Sequence, residues 1–253
     1  MEPVYRTIIG LARTVFFLEG LKFTVTGDEN IPARGGAVLA VNHTGYMDFT
    51  YAGLPVRTPK RYIRFMAKHE VFDNKVSGPI MRALKHIPVD RTAGSDSYKS
   101  AVEYLRSGEL VGVYPEATIS RSFEIKDLKS GAARMAIEAD VPIIPIVIWG
   151  AQRVWTKGHP KRLGRTNTPI SIAVGEPIPP SEPAAELTAE LKVTMQKLLA
   201  GLQESYVHEP GAYWVPARLG GGAPTLEEAN ALDAAETEER AARKRAGQDD
   251  SGA

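Results

Sequence analysis

The sequence predicts an α/β fold in which a mostly parallel central sheet is flanked by helices. Short apolar runs alternate along the chain with segments whose apolar residues recur at helical spacing, as in strands joined by helical crossovers. Some runs, such as GAVLAVNH, are apolar almost throughout, which is typical of strands covered on both faces. The 253 residues are enough for one large domain of this kind with extensions.

The individual elements follow from this alternation. We predict strands at residues 23–27, 36–43, 61–70, 86–91, 110–118, 141–150 and 170–178, and helices at residues 3–19, 97–109, 130–140 and 184–205. The prolines of VPIIPIVIWG suit the beginning of a strand and an irregular or edge position, because proline cannot donate to a sheet ladder. Ligand sites in such sheets lie at the carboxyl ends of strands, where His43 and Glu116 both stand.

The first 22 residues are predicted to form an amphipathic helix at a membrane interface. Val4, Ile8, Leu11, Val15 and Leu18 share one face, and the two arginines of the segment fall on the opposite side. An apolar stripe of this kind can enter the boundary between lipid headgroups and acyl chains. It can equally pack on the helix's own domain, so both placements remain open at this point.

Charge divides the chain into a main domain, residues 23–218, and a charged tail, residues 219–253. From Gly221 to the end there are eight Asp or Glu, four Lys or Arg and few large apolar residues, so we expect a disordered or loosely helical tail. The whole chain has a net charge of +1. A near-neutral chain with only local basic clusters gives little support to nucleic-acid binding.

Composition excludes several kinds of site. There is no cysteine, which rules out disulfides, thiolate nucleophiles and cysteine-based metal centres and is compatible with a cytosolic protein. The five histidines lack the spacing of metal-ligand pairs, so we expect no metal. No stretch reaches eighteen uncharged apolar residues, and the N-terminal segment lacks the pattern of a cleaved signal, so we expect neither a membrane span nor a signal peptide.

The stretch VNHTGYMDFT, residues 41–50, places His43 five positions before Asp48 at the end of an apolar run. Residues five apart do not share a face of one regular helix, because each residue turns about 100°. They can pair if Thr44 and Gly45 form a strand-to-helix turn and Asp48 lies in the first helical turn. A carboxylate on one imidazole nitrogen leaves the other free to act as a base toward a hydroxyl. So short a pattern also recurs by chance, as a surface histidine near a helix-capping aspartate.

Four short blocks stand in order within residues 36–150: NHTGYMD, HIPVDR, YPEATIS and VPIIPIVI. Together they resemble the glycerolipid acyltransferase family, whose best-known members are the 1-acyl-sn-glycerol-3-phosphate (lysophosphatidic acid) acyltransferases. The resemblance implies an acyltransferase domain over residues 23–218 that moves a fatty acyl group from acyl-CoA or acyl carrier protein to the sn-2 hydroxyl of 1-acylglycerol 3-phosphate. The product would be phosphatidic acid, a step of phospholipid biosynthesis, and no cofactor is implied.

The resemblance also implies roles for individual residues. His43 would be the general base, Asp48 would orient and charge the imidazole, and Asn42 would hold the turn or the oxyanion. Backbone N–H groups at the start of the following helix are equally good oxyanion donors. The thiol would leave without a covalent enzyme intermediate.

The acceptor phosphate calls for cations, and residues 57–99 hold ten Lys or Arg against four Asp or Glu. Lys68 and Arg91 are the leading phosphate ligands by the resemblance, although most lysines of this segment would simply be solvated. Glu116 and Thr118 of the third block complete the expected substrate-binding set. Glu116 would either accept backbone N–H bonds that fix the turn or bind acceptor hydroxyls, since a buried carboxylate needs partners.

The third block departs from the family pattern FPEGTRS. The usual glycine is Ala117, where a positive φ would be strained, and the usual arginine is Ile119, which cannot bind phosphate. Either Arg121 substitutes, or the acceptor is different.

A second basic cluster lies in residues 151–165, which contain no acid, with tryptophans beside it. It would contact anionic lipid or CoA phosphates, or form a polar loop over the sheet. Its members are Arg153, Lys157, Lys161, Arg162 and Arg165.

Three alternatives to this function remain. The same chemistry could act on glycerol 3-phosphate, another lysophospholipid or a glycolipid. A hydrolase would use the His–Asp pair on water, and a membrane-surface binding protein would keep the fold without turnover. The leading interpretation is a peripheral enzyme at the cytoplasmic face of the cell membrane whose partners are acyl-CoA, a lysophospholipid and the membrane surface, with neither nucleic acid nor metal.

Overall fold

The computed structural model describes residues 2–57, 61–89 and 95–249 and centres on a seven-stranded sheet. Its strands are β1 (Lys22–Thr26), β2 (Ala37–Val41), β3 (Ile63–Lys68), β4 (Ile87–Val89), β5 (Leu110–Val113), β6 (Ile143–Trp149) and β7 (Pro169–Val174). The helices are α1 (Pro3–Leu18), α2 (Asp48–Tyr51), α3 (His69–Asp73), α4 (Ser77–Ala83), α5 (Ser95–Arg106), α6 (Gly131–Ala139), α7 (Ala184–Glu204) and α8 (Leu226–Asp249). The predicted α/β class is confirmed.

The strand order is β1-β7-β6-β2-β5-β3-β4, and every neighbouring pair is parallel except β6 with β7. The three strands in the middle of the order that read as continuous apolar runs, β2, β5 and β6, are buried at every position. Helices α5, α6 and α7 cover one face of the sheet, and α1 and α2 contribute to the core on the other. Burial on both faces explains why these strands carry no polar alternation.

Of the positions considered for the proline-bearing strand, the edge position was wrong, because β6 lies inside the sheet between β7 and β2. Pro145 is tolerated there because the pairing with β7 begins one residue later, at Ile146 opposite Val174. The carbonyl of Pro145 still accepts a hydrogen bond from Gly175, so only the missing N–H is lost from the ladder.

Helix α1 packs on the domain by a different face from the apolar stripe seen in the sequence. Tyr5 donates to the carbonyl of Ile63, and Phe16 packs against Phe23 and Tyr51. The stripe residues Val4, Leu11 and Leu18 remain exposed, as does Phe17, while Ile8 and Val15 are half-buried at its border. Within the described part of the chain, no helix is long and apolar enough to cross a membrane.

The charged tail contains an ordered element where we expected disorder or loose helicity. Helix α8 runs from Leu226 to Asp249. Thr225 and Glu228 form a capping box at its start, because the side chain of each accepts the backbone N–H of the other. Ala229 is buried against the domain, and Asp233 bonds to Lys126 and Lys157. These contacts join α8 to residues 107 and 76 positions earlier in the chain, a separation that composition does not express.

Candidate active site

The carboxyl ends of five parallel strands meet at one edge of the sheet. β6, β2, β5, β3 and β4 run in the same direction, so the segments that follow them lie side by side. His43 follows β2, Glu116 follows β5, and Lys68 ends β3. The fold therefore gathers at this edge the residues that the sequence had singled out in separate blocks.

His43 and Asp48 form the pair that the sequence suggested. Imidazole Nδ1 lies 3.0 Å from Asp48 Oδ2, with His43 in the turn after β2 and Asp48 opening α2. Asp48 is completely buried, whereas the side chain of His43 is 20% exposed. The aspartate is therefore shielded from solvent, whereas the imidazole is accessible to a substrate.

The hydrogen bonds of Asp48 define the tautomer of His43. The same carboxylate oxygen also accepts the backbone N–H groups of Thr44 and Gly45, each at 2.8 Å. An ionised carboxylate can only accept, so Nδ1 of His43 must carry the proton. In the neutral imidazole, Nε2 is then the nitrogen without a proton, and the described residues supply no hydrogen-bond partner for it. Such a nitrogen can act as a base toward a bound hydroxyl.

Gly45 is required in this turn by a close approach and not by a left-handed backbone. A Cβ at this position would lie 2.9 Å from the carbonyl oxygen of Trp155 and 3.2 Å from that of Ala151. The loop after β6 therefore presses directly on the turn that carries His43. Tyr46 reinforces the contact by donating its N–H to the Trp155 carbonyl.

Asn42 is a structural bridge. Its amide nitrogen donates to the carbonyl of Ile148 at 3.0 Å, and its amide oxygen accepts the N–H of the same residue at 2.7 Å. The side chain thus ties the end of β2 to β6 and is buried. This differs from the expected substrate contact and fits the alternative in which Asn42 holds the turn. The N–H groups of Thr44 and Gly45, in the turn before α2, are taken up by Asp48.

Glu116 joins the His43 turn to the loop that follows β5. One carboxylate oxygen accepts the N–H of His43 at 2.9 Å, and the other accepts the N–H of Lys126 at 3.0 Å. Burial raises the pKa of Glu116 to about 7, although both backbone bonds and the nearby charges of His43 and Lys126 act to lower it. Of the two roles considered for Glu116, the geometry favours the one in which it fixes the turn.

Tyr114 lies against His43 and was not singled out from the sequence. The two rings stack with centroids 4.1 Å apart and planes 21° from parallel. Burial raises the pKa of Tyr114 well above its ordinary value, and the negative charge of Asp48 adds to the effect, so the phenol stays neutral. Its place directly after a buried strand, two residues before Glu116, was the signal that could have found it.

The departures in the third block have structural consequences. Ala117 has a φ of 63°, the left-handed conformation that the sequence marked as strained for anything but glycine. Ile119, in place of the usual arginine, is buried and contributes apolar packing. The hydroxyl of Thr118 accepts a hydrogen bond from Lys126 Nζ at 2.7 Å and lies 3.5 Å from Asp233 Oδ2.

Of the two leading phosphate ligands, the structure describes Lys68 alone. Lys68 is the last residue of β3, is exposed, and pairs in register with Val89 at the end of β4. Arg91 follows two positions after Val89 and lies outside the described residues.

A group of three cations near the turn was only partly anticipated. Arg121, Lys126 and Lys157 meet the carboxylates of Asp233 and Glu236 on α8. Lys126 was missed, since nothing in the local sequence distinguishes it from a solvated lysine. Lys157 belonged to the predicted second basic cluster. Two other members of that cluster contact tryptophans instead: Arg153 stacks on Trp214, and Lys161 lies over the ring of Trp155.

The fold and this edge of the sheet define a class: an α/β protein with a partly buried His–carboxylate pair at the carboxyl ends of its parallel strands. A family model for acyltransferases matches residues 22–149, half of the chain, and includes every strand from β1 to β6. The chain belongs to the acyltransferase family and is an O-acyltransferase that acts on a lipid and an acyl donor. The resemblance found in the sequence is confirmed.

Two relatives and one solved structure illustrate the similarity. The 1-acyl-sn-glycerol-3-phosphate acyltransferase of Bacillus subtilis (strain 168) is 30% identical over 199 residues, which are 77% of this chain and 96% of that protein. The enzyme of the same name from Limnanthes douglasii is 29% identical over 61% of this chain and 54% of its own length. The crystal structure of the 1-acyl-sn-glycerophosphate acyltransferase PlsC from Thermotoga maritima superposes with a TM-score of 0.64 at 22% identity, covering 80% of this chain and 81% of that one. The last match shows the shared fold.

Proposed function

We propose that the protein transfers a fatty acyl group from a thioester, on CoA or acyl carrier protein, to the sn-2 hydroxyl of 1-acylglycerol 3-phosphate. The observation that carries the proposal is the His43–Asp48 pair, whose buried carboxylate leaves one imidazole nitrogen open toward solvent. The Bacillus and Limnanthes relatives bear the name of this reaction, which supports the choice of acceptor. The product would be phosphatidic acid.

In this mechanism His43 Nε2 takes the proton of the acceptor hydroxyl as its oxygen attacks the thioester carbonyl. Asp48 keeps Nδ1 protonated and stabilises the imidazolium that forms. When the tetrahedral intermediate collapses, the carbon–sulfur bond breaks and the imidazolium returns its proton to the leaving sulfur. Tyr114 stacks on the ring and limits its rotation, and Glu116 fixes the turn that positions it.

The phosphate groups of the two substrates call for cations, and Lys68 and Arg91 are the phosphate ligands that the sequence predicts. Lys68 ends the strand next to β5, and Arg91 follows β4, the next strand along. Charge-assisted hydrogen bonds from such side chains bind phosphate oxygens strongly. Ile119 is buried and takes no part.

Because both substrates carry acyl chains, the enzyme is proposed to work as a peripheral protein at a membrane surface, on the cytoplasmic face. The exposed stripe of α1 supports this placement: Leu11 is 61% exposed, Phe17 79% and Leu18 63%. Large apolar side chains on one helix face are what an interfacial helix presents to lipid. The exposed basic residues at 161–165 would add attraction to anionic headgroups.

The test is release of free thiol from an acyl-CoA in the presence of different acceptors. We expect release to depend on lysophosphatidate, with little release when lysophosphatidylcholine, which has the same sn-2 hydroxyl on a phosphodiester lipid, replaces it. Preference for glycerol 3-phosphate or another lysolipid would contradict the proposed acceptor but would still support acyl transfer as the reaction. Equal release with and without any acceptor would show a thioesterase and contradict acyl transfer itself.

A further inference from the structure

Three cationic side chains converge on two carboxylates of α8. Lys126 Nζ lies 2.5 Å from Asp233 Oδ2, and Lys157 Nζ lies 3.2 Å from Asp233 Oδ1. Lys157 also contacts Glu236, and Arg121 bonds to Glu236 at 3.0 Å and to Asp233 at 3.4 Å. These five side chains are 11% to 23% exposed, so the group is largely shielded from water. We call Arg121, Lys126 and Lys157 the cation triad.

Backbone contacts on two sides hold the cation triad against the turn that carries His43. Glu116 accepts the N–H of His43 with one oxygen and the N–H of Lys126 with the other. From the other side, the hydroxyl of Thr156, next to Lys157, donates to the carbonyl of Thr44 at 2.7 Å. An anion bound by the triad would therefore lie on segments that are hydrogen-bonded to the turn that presents His43.

The chemistry of the cation triad suits a phosphomonoester. Three positive side chains that are mostly out of water need an anionic partner, because unpaired charges are costly to bury. A phosphate group brings nearly two negative charges and several acceptor oxygens in one compact group. The two carboxylates of α8 supply the same charge in its place. In the proposed acceptor, phosphate and reactive hydroxyl are carried by adjacent carbon atoms, so a phosphate site should lie on segments joined directly to the His43 turn, as the triad does through Glu116.

Helix α8 is held to the domain by charge more than by apolar burial. Among its described side chains Ala229 is the buried one, and the larger apolar residues Leu226 and Leu232 are 37% and 49% exposed. Burial acts to raise the pKa of Asp233, but the hydrogen bonds and charges of Lys126 and Lys157 outweigh it, and the pKa lies below its ordinary value. A helix attached in this way can be displaced by a competing anion without exposing a large apolar surface.

We propose that the cation triad is a phosphomonoester site which α8 closes in the free protein, with Asp233 and Glu236 standing where the acceptor's phosphate would bind. The helix is thus an intramolecular competitor of the acceptor, and binding of the phosphomonoester releases it. The inference deepens the proposed function, on which its choice of acceptor rests.

Hydrogen–deuterium exchange of residues 226–239 in the full-length protein tests the proposal. The samples are the protein in chloride, in inorganic phosphate at matched ionic strength, and with phosphatidylcholine vesicles that do or do not contain lysophosphatidate. We expect exchange of α8 to rise roughly tenfold with phosphate or with lysophosphatidate vesicles, and not with chloride or plain vesicles. A rise with phosphate shows that the free anion is enough, whereas a rise with lysophosphatidate alone identifies the lipid headgroup as the ligand.

A pair of variants separates specific pairing from general charge. D233N/E236Q removes the two carboxylates at the triad, and E227Q/E238Q removes two exposed carboxylates of the same helix. We expect the first variant to exchange α8 rapidly without any ligand and to bind inorganic phosphate about tenfold more tightly, and the second to behave as wild type. Unchanged exchange in wild type with every ligand, together with equal phosphate binding by both variants, would overturn the proposal.

This readout is independent of acyl transfer. If phosphate releases α8 but the protein does not acylate lysophosphatidate, the proposed acceptor is contradicted, whereas the phosphomonoester site at the cation triad is still supported. Acylation of lysophosphatidate with α8 unmoved would overturn the competitor role alone.

Discussion

Two His–Asp pairs in the described residues show what burial adds to the same geometry. His43 Nδ1 lies 3.0 Å from Asp48 and His69 Nδ1 lies 3.1 Å from Asp73. The second pair is 54% and 65% exposed, so water competes for both groups and the pairing contributes little. Asp48 is buried and also accepts two backbone N–H groups, so it fixes one tautomer of its partner. The difference lies in the surroundings, which a sequence motif does not express.

Glu116 should make stability depend on pH. Its pKa is about 7 in the folded protein, above its ordinary value of 4.5, because it is buried. The folded state therefore holds this proton more tightly than the unfolded chain, and the cost of the ionised group, present above pH 7, disappears as the pH falls toward 4.5. Relative to Glu116→Gln, the free energy of unfolding of the wild type should rise by up to about 3 kcal/mol over that range.

Urea unfolding of wild type and Glu116→Gln at several values between pH 4.5 and pH 7.5 would measure this difference. Glu176→Gln, which changes an exposed carboxylate in a loop, is the matched control and should run parallel to the wild type. Parallel curves for Glu116→Gln as well would show that burial does not raise the pKa of Glu116.

Ala117→Gly should stabilise the protein. The left-handed backbone at φ 63° costs an alanine about 1–2 kcal/mol, and part of this gain is offset by the greater freedom of glycine in the unfolded chain. We expect a net gain of about 0.5–1 kcal/mol in the free energy of unfolding, measured by urea denaturation. Ala212→Gly, at an alanine outside the left-handed region, should instead lose stability. Equal losses in both variants would contradict the account of strain at Ala117.

At the scale of elements, helix α1 packs on the domain with one face and exposes apolar side chains on another. Tyr5 and Phe16 bind the helix to the sheet, and Glu2 forms a paired salt bridge with the buried Arg64. The exposed stripe of Leu11 and Leu18 lies to one side of this contact. The helix can therefore dock on its domain and present apolar side chains to lipid at once, and the two placements left open by the sequence are compatible.

Leu11→Asp/Leu18→Asp should weaken binding to lipid vesicles. Two large side chains would no longer enter the interface, each worth about 1.5–3 kcal/mol when fully buried, so a loss of at least about tenfold in partitioning is expected. Sedimentation with anionic vesicles would measure it. Val193→Asp, which places a charge on an exposed apolar position of α7, is the control and should bind as wild type. Equal binding by both variants would remove α1 from the membrane contact.

At the scale of the whole molecule, local pattern predicted the elements and long-range contacts decided the rest. The continuous apolar runs predicted the buried strands, and their polar ends predicted the edge where His43 and Glu116 meet. The interior place of β6 did not follow, because it depends on β7 returning antiparallel beside it. The stacking of Tyr114 on His43 and the bonds from Lys126 and Lys157 to Asp233 join residues far apart in the chain, so no short window contained them.

The most direct test of the catalytic account is acyl transfer by His43→Ala beside His69→Ala. Both variants remove a histidine that pairs with an aspartate at about the same distance, one in the buried turn and one on an exposed helix. With lysophosphatidate and an acyl-CoA, we expect the rate of thiol release to fall by about 10²-fold or more in the first variant and to stay at the wild-type rate in the second. Equal rates in His43→Ala and the wild type, with both folded by circular dichroism, would show that the pair at the sheet edge does not carry the reaction.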